Sequence, residues 1–145
     1  MWYNWNGDWV KELSLSKDNR SFRYGDGFFE SMRVFNGKIF NQSAHEKRFS
    51  ETLQVLQLRL SCSVSELFEQ LQKLIEKNKI TEGGKARITI SRSDGGKYTP
   101  ISNNVNYLIE VESIINNEFA FSLIFSRLLL VFSLGNTCNK VRLAL

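Results

Sequence analysis

Asn36-Gly37, set between Phe28–Phe35 and Lys38–Phe40, limits what this chain can fold into more than any other feature. Both central positions of a type I′ turn need positive φ, which glycine adopts freely and asparagine tolerates. Apolar and β-forming residues flank the pair on both sides, so a two-residue hairpin is expected, joining about 28–34 to 38–41. Such a hairpin needs a sheet to extend and a layer to cover it.

The covering layer is legible downstream. Ser43-Ala44-His45-Glu46 has the spacing of a capping box, in which the serine hydroxyl accepts an orphan N–H and the glutamate reaches back. Phe49, Leu53, Leu56 and Leu60 follow at helical spacing and predict one buried stripe. Ser63-Val64-Ser65-Glu66 repeats the capping pattern, and Val64, Leu67, Phe68, Leu71, Leu74 and Ile75 continue the period until Asn78 and Gly83-Gly84 end it. Arg87–Ser91 and Asn106–Val111 read as strands around a flexible loop, Ser93-Asp94-Gly95-Gly96-Lys97. Upstream, Trp9–Leu15 reads as a short strand after an Asn6-Gly7-Asp8 turn, and Lys17-Asp18-Asn19-Arg20 as a polar loop. Strands, a hairpin, two helices and two more strands make an α+β order.

Beyond residue 115 the character changes. Phe119–Leu134 is almost wholly apolar, interrupted by Ser122, Ser126, Arg127 and Ser133. A membrane span needs about 20 apolar residues, so this run is too short, and its arginine argues against one. The expectation is a pair of buried strands or a core helix, or a continuation altered by truncation or a shifted reading frame.

Net charge is +4, which raises nucleic acid as a partner, but the basic residues are interleaved with Glu46, Glu51, Glu66 and Glu76. Without a basic stripe or a recognition motif, a nucleic-acid partner is not expected. Cys62 and Cys138 suit no disulfide framework or metal cluster. The start Met1-Trp2-Tyr3-Asn4-Trp5 lacks the pattern of a signal peptide, so a cytoplasmic protein is expected.

Three blocks in order carry a resemblance. Tyr24-Gly25-Asp26-Gly27-Phe28-Phe29-Glu30 runs into the Asn36-Gly37 turn; His45-Glu46-Lys47-Arg48-Phe49 opens a helix; Arg87–Arg92 leads into Gly95-Gly96-Lys97-Tyr98. Together, over about residues 1–112, they resemble fold-type IV pyridoxal-phosphate enzymes, the class IV aminotransferase and aminodeoxychorismate lyase group. The resemblance implies the small N-terminal domain of the D-amino acid aminotransferase-like fold, an antiparallel sheet with two helices, over residues 1–115. Residues 116–145 would then be a truncated or aberrant start of the large domain. It also implies pyridoxal 5′-phosphate as cofactor, an amino-acid-like or aminodeoxychorismate substrate, and a homodimer.

The same resemblance assigns roles. Arg48 would bind the cofactor phosphate, a task its fork of donors suits; a surface ion pair is the bland alternative. His45, the single histidine, would order the backbone beside it. Phe29 and Tyr98 would face substrate, and Arg92 would either hold a substrate carboxylate or flank the loop. Gly25 and Gly27 would allow a tight backbone at the strand start. The Gly95–Tyr98 loop leans toward the lyase of 4-aminobenzoate and folate synthesis. A branched-chain or D-amino acid aminotransferase is the alternative, and a non-catalytic fragment a third reading. Pyridoxal-phosphate chemistry needs a Schiff-base lysine. Aligning Thr137-Cys138-Asn139-Lys140-Val141 with the family pattern puts Asn136 at that position, with Lys140 a weak stand-in, so no turnover is expected from this chain.

Overall fold

In the computed structural model, residues 1–114 are described, and Met1–Ser113 form one compact unit. Nine elements build it: β1 (Tyr3–Trp5), β2 (Asp8–Val10), α1 (Arg20–Tyr24), β3 (Gly27–Phe35), β4 (Lys38–Ile39), α2 (Gln42–Val55), α3 (Val64–Lys77), β5 (Gly83–Arg92) and β6 (Val105–Ser113). The strands form one six-stranded sheet in the order β2-β1-β6-β5-β3-β4, and every strand pairing is antiparallel.

The expected hairpin is present. Asn36 and Gly37 have φ of 49° and 71°, and Val34 and Phe35 face Ile39 and Lys38. Because β4 is so short, residues 27–33 have β5 on one side and, among the described residues, no strand on the other. That open stretch of β3 carries the motif residues.

Alternation decides which face is covered. Glu30, Met32 and Val34 on β3, Ala86, Ile88 and Ile90 on β5, and Val105, Tyr107, Ile109 and Val111 on β6 are buried. They pack with Phe49 and Leu53 of α2 and with Leu67, Phe68, Leu71, Leu74 and Ile75 of α3. Phe28, Phe49 and Phe68 form a ladder with centroids 5.1 and 6.0 Å apart, joining sheet to both helices. The alternate residues, Phe29, Phe35, Lys85 and Glu112 among them, line a face these helices do not cover.

Several local expectations are corrected. The first strand is not Trp9–Leu15: Asp8–Val10 pairs back onto Tyr3–Trp5 around Asn6 and Gly7, whose φ values are 53° and 100°. This turn is thus the centre of a hairpin, not a prelude to a strand. Asn78 secures it, accepting from the Trp2 N–H and donating to the Trp2 carbonyl, both at 2.8 Å. The polar loop at 17–20 ends in a short helix, since the Asn19 side chain accepts from the Phe22 N–H and caps α1. The Ser43–Glu46 capping box does not form. Helix α2 begins at Gln42 after Asn41, whose φ is 53° and whose side chain caps nothing; Glu46 instead accepts from the Gln42 amide. Its buried stripe stops at Leu53, and Leu58, beyond the helix, fills the place expected for Leu56. The Ser63–Glu66 box forms in full.

Candidate active site

Two arginine–carboxylate nodes flank the Gly25–Glu30 segment. The first begins with Glu30, which alternation turns toward α2. Its carboxylate accepts from Arg48 Nε at 3.1 Å, from Arg48 Nη2, and from Nδ1 of His45 in the tautomer that carries its proton there. Residues 45 and 48 lie three apart on α2, so both reach the same acid. Burial pushes the Glu30 carboxyl up, but the bonds and charges of Arg48 and His45 outweigh it and hold it below its ordinary 4.5. The Glu30 bond raises Arg48 in turn, against the opposing effect of burial.

Glu30 is almost enclosed, whereas the Arg48 side chain is 60% exposed. Among the described residues no hydrogen bond uses Arg48 Nη1. The expected phosphate-binding residue is therefore turned toward β3, fixed by a buried acid, with one edge of its guanidinium available. That donor set suits a phosphate, whose oxygens accept charge-assisted bonds.

On the opposite face, an open hollow of about 450 Å³ is lined by Ser21, Gly25, Gly27, Phe29, Arg87 and Thr89, with Phe28 and Ile90 at its base. Gly27 is required there: a Cβ would lie 2.1 Å from the Ile90 carbonyl oxygen and 2.6 Å from Ser21 Oγ. Phe29 is 56% exposed, and the Arg87 guanidinium stands 3.8 Å over its ring. No ion pair with Arg87 forms among the described residues. A cation stacked on an apolar wall and lacking a carboxylate can receive one from a ligand. Arg87 was missed in the sequence, yet the signal existed: with Ile88 and Ile90 inward, period two sends Arg87 and Thr89 to the face of Phe29.

The second node resolves Arg92. Its Nε donates to Asp26 Oδ1 at 3.0 Å, Nη1 to the Asn103 side chain, and Nη2 to the Leu56 carbonyl at 3.2 Å. Those donors are committed internally, so of the two roles left open it flanks the loop. Asp26 also accepts from Arg20. Burial raises the Asp26 carboxyl, and the two arginines together bring it below its ordinary 3.8. Tyr98 is not in the hollow: it is 91% exposed, with its ring 6.4 Å from that of Tyr24. Asn136 and Lys140, and the apolar run 119–134, lie outside the described residues. Among those described, no cluster of three or more His, Cys, Asp or Glu fits a metal, and no helix is long and apolar enough to cross a membrane.

The antiparallel sheet and its two covering helices match the small N-terminal domain of fold-type IV pyridoxal-phosphate enzymes. A hypothetical aminotransferase from Mycobacterium tuberculosis, solved in a PLP-bound form, superposes with a TM-score of 0.67 at 17% identity, over 88% of this chain and 43% of that one. The family model for Amino-transferase class IV matches residues 27–128, and this chain belongs to that family. The D-alanine aminotransferase of Staphylococcus aureus (strain N315) is 39% identical over 80 residues, 54% of this chain and 28% of that protein. A probable branched-chain-amino-acid aminotransferase of Rickettsia bellii is 36% identical over 85 residues, 57% and 29% of the two. The matched part thus spans less than a third of these two relatives. They favour the aminotransferase alternative over the lyase to which the Gly95–Tyr98 loop pointed, and the class they represent is pyridoxal-phosphate-dependent.

Proposed function

We propose that residues 1–115 form the small-domain wall of an amino-acid transaminase of the D-alanine or branched-chain type. The observation that carries this is Arg48, held against β3 by Glu30 and His45 with a donor edge left over. Residues from 116 on would begin the second domain. Pyridoxal phosphate, when bound, supplies the electron sink and the carrier of the amino group. The chain's own residues then divide the work. Arg48 donates to the phosphate, while Glu30 and His45 fix its orientation. Arg87 holds the substrate carboxylate, and Phe29 forms the apolar wall that excludes water around that ion pair.

Only the form of the Gly95–Tyr98 loop favours aminodeoxychorismate as substrate. A homodimer in the cytoplasm belongs to the same proposal. No catalytic lysine is assigned: Asn136 stands at its aligned position, and Lys140 is the nearest amine in that alignment.

The phosphate role is tested with pyridoxine 5′-phosphate, which lacks the aldehyde and so cannot react with surface lysines. Titrated into isotope-labelled 145-residue chain, it should perturb NMR signals at Glu30, His45 and the Arg48 side chain. Arg48→Met should weaken it about tenfold or more, as loss of a charge-assisted contact does. Equal affinity of wild type and variant would remove the basis for the cofactor assignment.

A further inference from the structure

The Arg20–Asp26–Arg92 node has no part in the roles given above, yet it reaches further than a local ion pair. Arg20 is only 2% exposed, although it opens a five-residue helix. Its Nε donates to Asp26 Oδ2 at 2.7 Å, and its Nη1 donates to the carbonyls of both Gly95, at 2.9 Å, and Lys97, at 3.0 Å. One buried guanidinium therefore joins the Gly25–Gly27 turn to a loop distant in the sequence.

The loop is shaped to meet it. Gly95 and Gly96 have φ of 113° and 72°, and a Cβ on Gly96 would lie 2.2 Å from the Thr99 carbonyl oxygen. A backbone this tightly turned presents two carbonyls to one donor. Tyr98 follows at once, with its ring beside that of Tyr24, over which the Arg20 guanidinium lies at 4.9 Å. The next residue, Gly25, lines the hollow.

We infer that Arg20 is a positioning residue: from beneath, it fixes the Gly95–Tyr98 turn so that Tyr98 stands at the Gly25 edge of the hollow and bears on the side chain of a carboxylate ligand. The ligand part rests on the reading of the hollow as the amino acid's site. Lysine cannot replace the fork, since a point charge on a flexible stem does not hold one carboxylate and two carbonyls in fixed directions.

The test uses the full chain and three variants, Arg20→Lys, Arg20→Met and Tyr98→Ala. Trypsin cleavage after Lys97 reports loop mobility, and cleavage after Lys85 and Arg87 in β5 reports opening of the sheet. Arg20→Lys should speed the Lys97 cut about tenfold while the β5 cuts stay unchanged. It should also weaken 4-methylvalerate several-fold while sparing acetate, which has no side chain for Tyr98 to meet. Combined with Tyr98→Ala, the two penalties should not add, because one acts through the other. An unchanged Lys97 cut, or an equal rise at β5, overturns the clamp; additive penalties overturn its action through Tyr98. Wild type that binds neither carboxylate, with the loop still loosened in Arg20→Lys, overturns the ligand part and the reading of the hollow but leaves the clamp standing. Should Arg20→Met fail to fold, Arg20→Lys, which keeps the charge beside Asp26, decides the matter.

Discussion

Glu30 and Asp26 lie four residues apart, each bound by an arginine, and the two nodes nevertheless do opposite things. Their acids are alike: both are mostly covered, and both are held below their ordinary values by arginine. The difference lies in the cations. Arg20 and Arg92 are enclosed and have donors on carbonyls and amides across the fold, whereas Arg48 is largely in solvent with an edge unused. A carboxylate–arginine pair is therefore not itself a functional signal. The donors left over after the pairing decide whether it binds a ligand or fastens the chain.

The strongest way to break this contrast is to delete one cation from each node. Arg20→Met leaves Asp26 with one arginine and takes the shared donor from the Gly95 and Lys97 carbonyls, so a loss of roughly 3 kcal/mol is expected by urea unfolding. Arg48→Met leaves Glu30 its bond from His45, and the lost partner was exposed. About 1 kcal/mol or less is expected there, alongside the tenfold loss of pyridoxine 5′-phosphate. If both variants lost equal stability, the division into fastening and binding nodes would be wrong.

The fold was far more legible than this division. Asn36-Gly37, the stripe of α3 and the alternation of β5 and β6 are short-range patterns, and each maps onto an element. The Arg48 motif could be placed because three blocks in order resemble the class IV family, and its three-residue spacing from His45 on a helix then lets both reach one acid. What stayed hidden depends on pairings distant in sequence. Asn78 pins Trp2, which makes a strand of a segment with no alternating stripe. Arg20 binds Gly95 and Lys97, so a residue that looks like a loop cation is among the most buried side chains. Arg92 looked available for substrate for the same reason: its partners Asn103 and Leu56 meet it only in the folded chain.

Acid sharpens the comparison between the nodes. Each carboxyl is lowered on folding, so the unfolded chain takes up its proton first. The stability each contributes is complete above its ordinary value and falls away as pH drops through its folded one. For Glu30, faced by Arg48 and His45, the loss starts below 4.5; for Asp26, faced by Arg20 and Arg92, it starts below 3.8. Neither contributes a slope between about pH 5 and 7. Urea midpoints taken down the pH scale should therefore fall in two stages. Glu30→Gln should flatten the earlier stage and Asp26→Asn the later. An acid profile unchanged by either substitution would mean that folding lowers neither carboxyl.

The smallest expected effect concerns the helix that presents Arg48. Two serines precede glutamates at identical spacing, and they differ only in what the folded backbone offers them. Ser63 caps α3, accepting from the Glu66 N–H while Glu66 accepts from the Ser63 N–H at 2.7 Å. Ser43 lies inside α2, one residue after its start, because Asn41 has already turned the chain at positive φ. Ser63→Ala should cost about 1 kcal/mol, a usual value for a lost N-cap. Ser43→Ala should be neutral or slightly stabilising, since alanine is the better helix former within a first turn. Arg48 should then bind pyridoxine 5′-phosphate as before, its helix start being set by Asn41 rather than by the serine. Should Ser43→Ala destabilise as much as Ser63→Ala, α2 would begin at the capping box after all.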